Sequence, residues 1–209
     1  MSSASPQNMA GSTPDRILAA GRKLFFEIGF QNVSTDMIVK EASVSTASLY
    51  KYYPNMAGLL KAVTLAEAKH FQDEEPKRVA SLEELREELI RYGRDLMRFL
   101  NRTEICRFSR LMHEEARGNP DIAAEFYASA YGTALTHLEA LFAQGIEAGF
   151  LQKGTTAADL AAMVIGMWEG IPMVRMHMGL STCPFPNPQD WAEATVDALL
   201  SGVALSNQP

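Results

Sequence analysis

Helix-start and helix-stop signals recur along the whole chain, and no segment alternates with the period of a strand, so the sequence reads as all-α. Thr13 as N-cap and Pro14 at the first helical position open a helix that buries Ile17, Leu18, Leu24, Phe25 and Ile28 and stops at Gly29. Two short helices, about 35–42 and 45–52, carry Ser34 and Ser45 as caps. Pro54 stops the second, and Asn55 caps a fourth that runs to about Glu75 before Pro76. Ser81 with Glu84 forms a capping box for a helix over about 82–100, whose acids come first and whose Arg91, Arg94 and Arg98 come last, complementing the dipole. Thr103 starts a helix ending near Gly118. Pro120 opens a long one reaching Gly149, about 45 Å at 1.5 Å per residue. Thr155 or Thr156 caps one reaching Gly179, and Asn187-Pro188 begins the last, about nine helices in all.

Several function classes drop out. Residues 1–13 have neither a basic segment nor an apolar core and read as a disordered tail, not a signal peptide. The apolar stretch Leu160–Trp168 stops at Glu169, short of the roughly 18 residues of a membrane span, so no membrane partner is expected. Cys106 and Cys183 form no framework pattern, which fits a reducing, cytoplasmic setting; Cys183, in a proline-flanked loop, is either an ordinary loop cysteine or a redox switch. His113-Glu114 begins like a zinc-binding HExxH, but Arg117 stands at the second ligand position. His70, His113, His137 and His177 are dispersed, and no phosphate loop, dinucleotide fingerprint or nucleophile elbow occurs. Neither an enzyme, a metal site nor a cofactor is expected.

Charge divides the chain. Residues 1–62 carry a net +2 and the remainder −8 of the overall −6, so a mildly basic head joins an acidic body. Within the head, a short helix, a tight turn at Ala42-Ser43-Val44 and a second short helix have helix-turn-helix spacing. Ile38, Val39, Val44, Leu49 and Tyr53 can meet the Leu24/Phe25 face of the first helix as a three-helix core. Thr46, Ala47, Ser48, Tyr50, Lys51 and Tyr52 then face outward. A helix reaches base edges in the major groove only if its leading turn is slim, which Thr46, Ala47 and Ser48 provide; the tyrosine hydroxyls and Lys51 suit phosphates. On spacing alone, Tyr50 and Tyr52 could instead pack a small bundle.

The segment ILAAGRKLFFEIGFQNVSTDMIVKEASVSTASLYKYYPNMAGLLKAV resembles the DNA-binding domain of the tetracycline-repressor (TetR) family, whose pattern runs as an apolar helix, Gly-aromatic, a Thr-rich cap, Ile-Ala, Gly-Val-Ser and then Leu-Tyr-x-x-Phe. RLMHEEARGNPDIAAEFY, the long helix after it and the Gly149-Phe150-Leu151 turn are similar to many members' variable domain. The resemblance implies a tail over 1–13, a helix-turn-helix domain over 14–62 and a ligand-binding and dimerisation domain over 63–206. It adds Thr35 to the DNA contacts Thr46, Ala47, Ser48, Tyr50, Lys51 and Tyr52. Three positions depart from the family pattern. Ser43 replaces a turn glycine, at a cost of about 1 kcal/mol if φ is positive. Met56 stands where a phosphate-contacting lysine is usual, which should flatten the salt dependence by about 0.9 log units per log unit of salt. Asp36 occupies a DNA-facing position where arginine is frequent, and would repel phosphate or accept from a cytosine amino group.

In the body, Met163, Met167, Met173, Met176 and Met178 with Trp168, Ile171 and Val174 make an adaptable apolar wall, either cavity, core or dimer seam. Pro172 removes the bond to the Trp168 carbonyl and kinks that helix. Phe108, Met112, Phe126, Tyr127, Tyr131, Met167 and Trp168 form the expected pocket for a small apolar or amphipathic effector. The family resemblance implies that the last two helices pair across a two-fold axis. Gly166 and Gly170 would permit close approach, and Ala192, Val196, Leu199, Leu200 and Val203 would supply an apolar stripe. The resulting homodimer would set its heads about 34–36 Å apart on a double-stranded, palindromic operator. The expected function is a ligand-responsive transcriptional repressor. The alternatives are an architectural or division-control DNA binder without a ligand, and a helical carrier that has lost DNA binding.

Overall fold

Capping side chains fix where the helices begin. Ser12, one residue earlier than expected, is the N-cap of α1 (Thr13–Ile28), and Asp15 Oδ2 accepts from its N–H at 3.1 Å and its hydroxyl at 2.6 Å. Ser34 and Ser45 cap α2 (Thr35–Ala42) and α3 (Thr46–Tyr52) through the N–H groups of Met37 and Ser48. Asn55 Oδ1 accepts from Gly58 N–H at 2.7 Å at the start of α4 (Met56–Ala68). Ser81 caps α5 (Leu82–Leu100), and Thr156 caps α9 (Ala157–His177) through Asp159 N–H. α6 (Thr103–Glu115) ends slightly before the expected Gly118, and Pro188 opens α10 (Pro188–Val203). The computed structural model describes residues 11–68, 76–152 and 154–204. Most of the expected tail, His70, the expected end of the fourth helix at Glu75 and residues 205–206 lie outside them.

The expected single helix over 120–149 is three segments in one run: α7 (Pro120–Tyr127), a π turn (Ala128–Gly132) and α8 (Thr133–Glu147). A π turn inserts a residue and rotates the helix faces on either side of it. Propensity and capping carry no signal for it. The arginine row of α5 is a salt-bridged face, with Arg91 on Glu88 and Asp95, Arg94 on Asp95 and Arg98 on Asp95. Arg86 also clamps Asp197 of α10 at 2.6 Å. Among the described residues the only β pairing is an isolated bridge, Leu151 with Ala204.

α9 kinks as Pro172 requires. Gly170 leaves helical geometry at φ 12°, ψ −126°, and the freed Trp168 carbonyl accepts from the Trp191 indole N–H of α10 at 3.0 Å. By length and a mean hydropathy of 1.3, α9 matches a membrane span, a reading that counting uninterrupted apolar runs missed because Glu169 breaks the run. In the fold, its Leu160, Val164, Trp168 and Met176 are buried in the body core with Leu85, Leu89, Leu138 and Phe142.

A second apolar cluster fills the head with Ile17, Phe25, Ile38, Leu49 and Leu59. It does not stop at the expected boundary near residue 62: Phe108, Leu111 and Met112 of α6 and Ile122 of α7 belong to it. Phe26 of α1 lies 5.3 Å from Phe108, ring to ring, and Gln31 donates to the buried Glu115 carboxylate at 2.8 and 3.0 Å. The head therefore rests on the body through packed apolar groups and a buried polar contact.

Gly93 is required by one close approach. A Cβ there would fall 2.5 Å from the ring of Trp168, which is wholly buried and has nowhere to move. Gly93→Ala should cost about 1–3 kcal/mol, read as a lower urea midpoint, whereas Gly202→Ala, where a Cβ meets open space, should be neutral or gain a few tenths. Equal midpoints for the two variants would contradict this packing.

Candidate nucleic-acid interface and internal cavity

α3 buries one side chain, Leu49, against the head core and leaves Thr46, Ala47, Tyr50, Lys51 and Tyr52 exposed. Ser48 is half-buried, bonded through its hydroxyl to Ser45 Oγ at 3.0 Å. The Tyr50 and Thr35 hydroxyls are 3.1 Å apart, so the starts of α2 and α3 share one surface. Lys51 lies over the Tyr52 ring at 5.5 Å. Tyr53 turns inward, donating to the Pro14 carbonyl at 3.4 Å. Thr35 and every α3 side chain except Leu49 are thus exposed or half-buried, and Asp36 is exposed beside Thr35. Ser43 sits in the left-handed region at φ 51°, ψ 51°, which closes the turn through Val44 N–H to the Val39 carbonyl at 3.0 Å. Its side chain gives a cost that glycine would avoid.

The body holds an internal cavity that offers about 70 Å³ to the centres of water-sized molecules, several times what one water needs. α5, α6, α7, the π turn, α8 and α9 enclose it, and Glu67 at the end of α4 closes the side nearest the head. Of the expected pocket residues, Phe108, Phe126 and Tyr131 line it. Four do not. Met112 faces the head cluster, its sulfur 3.4 Å from the Thr64 hydroxyl, and Tyr127 is exposed, stacked on Tyr131 at 5.6 Å. Trp168 is sealed in the body core over Gly93, and Met167 is half-buried outside the lining. Of the methionines on α9, Met173 lines the cavity, Met176 is core and Met163 is exposed, as is Met178 just after the helix.

Two carboxyl groups line this cavity: sequence reasoning missed Glu67, whereas Glu169, like Arg175 and His177, stands out in the sequence as a polar group on an otherwise apolar helix that either reaches solvent or orients a ligand. Glu67 is buried and accepts a two-pronged bond from Arg22 of α1, at 2.6 and 3.0 Å. Glu169 accepts from the Tyr131 hydroxyl at 3.0 Å. Burial pushes the Glu169 carboxyl up to about 7, with the Tyr131 bond opposing the shift, and burial likewise raises the Tyr131 phenol. Ser109 of α6, which lines the cavity, has its Oγ 2.8 Å from His177 Nε2, and burial with the neighbouring His113 and Arg110 lowers His177 to about 4.

The expected dimer residues divide. Gly166 and Gly170 are exposed on α9 with open space above them. Ala192, Val196 and Leu200 must be corrected: they are buried in the monomer, in the core that α10 shares with α5, and Leu199 and Val203 pack half-buried against it. An apolar stripe does not say which neighbour covers it. The apolar groups left exposed nearby are Met163, Ile171, Val174, Met178 and Trp191.

A helix-turn-helix head thus stands on a helical body whose helices surround an apolar cavity. The family model for bacterial regulatory proteins of the tetR family matches residues 17–63, and the model for the C-terminal domain of AefR-like transcriptional repressors matches residues 87–201. The chain belongs to the TetR family of transcriptional regulators. Among solved structures it is similar to a flavonoid-responsive regulator, FrrA, at 26% identity and TM-score 0.76, over 94% of this chain and 100% of that one. A putative TetR-family regulator from Mesorhizobium loti shares 20% identity at TM-score 0.79, covering 95% and 100% of the two chains. One from Agrobacterium tumefaciens shares 22% at TM-score 0.79, covering 93% and 95%. No curated protein matches the chain.

Glu169 makes stability depend on pH with a definite sign. Its folded pKa, about 7, lies above the ordinary 4.5, so its protonated form favours the folded state and that contribution is lost as pH rises from 4.5 through 7. Glu169→Gln, which cannot ionise, should melt close to wild type at pH 5 and above it at pH 8, by at most about 3 kcal/mol. Melting curves at both pH values check this; a variant whose advantage does not grow with pH would show that Glu169 is not buried as described.

Proposed function

We propose that the protein is a homodimeric repressor that lays α3 of each subunit into successive major grooves of a palindromic operator and releases it when a small apolar or amphipathic molecule occupies the body cavity. The observation that carries the DNA part is the outward face of α3. Its first turn is slim, with Thr46, Ala47 and Ser48, and its hydroxyl and ammonium groups point away from the core. The TetR family reads DNA through this domain, and the similar FrrA is described as responsive to flavonoids, which supports a small-molecule effector here.

The route from cavity to head runs through α4 and α6. Glu67 borders the cavity and grips Arg22 of α1, while Phe108 borders it and packs on Phe26 of the same helix. An effector that repositions either wall therefore bears directly on α1, on which α2 and α3 are packed. A shift of 1–3 kcal/mol, or about 5- to 150-fold in operator affinity, is sufficient for control. The exposed apolar face of α9, with Gly166 and Gly170 between Met163, Ile171 and Val174, supports the dimer.

Gel shifts on the DNA flanking the protein's own gene test the reading. Tyr50→Ala should weaken operator binding by about tenfold, equivalent to about 1.4 kcal/mol, with an unchanged melting temperature, because Tyr50 is exposed. A carrier without DNA binding would give no shift for either protein, and an unaltered affinity in the variant would remove α3 from the interface.

A further inference from the structure

We propose that the cavity selects a small organic cation, an amine with an apolar or aromatic body, over anions and neutral molecules of the same shape. This rests on the cavity being the effector site and names the chemistry it takes. The first observation is one of sign. Glu67 and Glu169 both line the cavity, and among the described residues lining it there is no lysine, arginine or histidine. An anion entering would be stripped of water beside carboxyl groups with no basic side chain to receive it.

The second observation is that the two carboxyls differ in what they still lack. Glu67 is already matched by the guanidinium of Arg22. Glu169 has the neutral Tyr131 hydroxyl at 3.0 Å and, among the described residues, no ion pair. A carboxylate offers about four acceptor positions, so an ammonium group can take those that Tyr131 leaves. The third observation is the wall: Phe99, Phe108, Phe126 and Tyr131 surround the space, and aromatic faces attract a cation that has lost water. Apolar Leu96, Ile165 and Met173 leave room for the body of the ligand, and the one further polar side chain among the described lining residues, Ser109, is already bonded to His177 at 2.8 Å.

Proton linkage follows from the same geometry. The titratable groups facing the cavity are Glu67 from α4, Tyr131 from the π turn and Glu169 from α9; α5, α6, α7 and α8 contribute none among the described lining residues. Burial holds Glu169 near 7, so at neutral pH an arriving ammonium ion finds it partly protonated and expels that proton on pairing.

The test uses three probes of nearly one shape, 2-phenylethylamine, 2-phenylethanol and phenylacetate, titrated calorimetrically into the full chain at pH 7 in two buffers of different ionisation enthalpy. The amine should bind about tenfold tighter than the alcohol or better, with proton release that the alcohol does not show, and phenylacetate should be the weakest. Glu169→Gln should bring the amine to the level of the alcohol while leaving the alcohol within about threefold of wild type. Similar affinities for all three in the wild type, or tightest binding of phenylacetate, would overturn the cation assignment and leave the cavity as an effector site. An amine preference that survives in Glu169→Gln would overturn it as well. Failure of all three to bind would overturn both this assignment and the effector-site reading. The wild-type comparison and proton count decide the matter even if the variant folds poorly.

Discussion

The contact of Phe108 with Phe26 makes this molecule one mechanical object rather than a DNA reader tethered to a sensor. The rings are 5.3 Å apart, and each is nearly sealed from solvent. Phe108 has the cavity on one side and Phe26 packed on the other, so a ligand pressing on Phe108 from the cavity pushes it against Phe26. Phe126 continues the contact at 5.4 Å on the other side of Phe108, and Tyr131 continues it at 6.2 Å. The cavity wall and the floor of the head are thus the same row of aromatic rings. The Arg22–Glu67 pair runs parallel to it, and Arg22 also lies 4.9 Å over the Phe26 ring. A buried charge that loses its partner is strongly destabilising, so the Arg22–Glu67 pair resists separation of α1 from the edge of the cavity.

The kink in α9 explains how an acid comes to face an apolar space. Pro172 deletes a helix hydrogen bond and Gly170 abandons helical angles, so the residues between Trp168 and Pro172 are freed from the regular face sequence. Trp191 satisfies the carbonyl left behind, and Tyr131 meets the Glu169 carboxyl. The π turn that carries Tyr131 does the matching work on the opposite wall, since its extra residue rotates Tyr131 toward α9 while Tyr127 remains outside. Two local irregularities, one on each wall, thus meet at a single hydrogen bond.

The helix starts and much of the head were legible because their information is local. Ser34, Ser45, Asn55, Ser81 and Thr156 announce helix starts through bonds made within three residues, and the structure makes each one. The outward set on α3 follows from the one inward position, Leu49. The body was less legible because its features depend on partners distant in sequence. Whether Ala192, Val196 and Leu200 meet α5 or a second subunit is settled by packing over a hundred residues away, and the stripe looks the same in either case. Trp168 has the bulk and composition of a pocket wall, yet Gly93 draws it into the core. Glu67 and Glu169 carry no motif, and each acquires its role only when Arg22 and Tyr131 arrive.

The three departures from the family pattern in the head have distinct physical accounts. Ser43 adopts the left-handed geometry that glycine takes at less cost, so the sequence accepts strain of about 1 kcal/mol in the turn that sets the angle between α2 and α3. Met56 is half-buried and packs on the head cluster, exchanging a solvated lysine's phosphate contact for apolar burial at the start of α4. Asp36 lies exposed in the first turn of α2, where its charge complements the helix dipole. Asp36 and Met56 thus make the head less attractive to phosphate than a basic side chain at either position would.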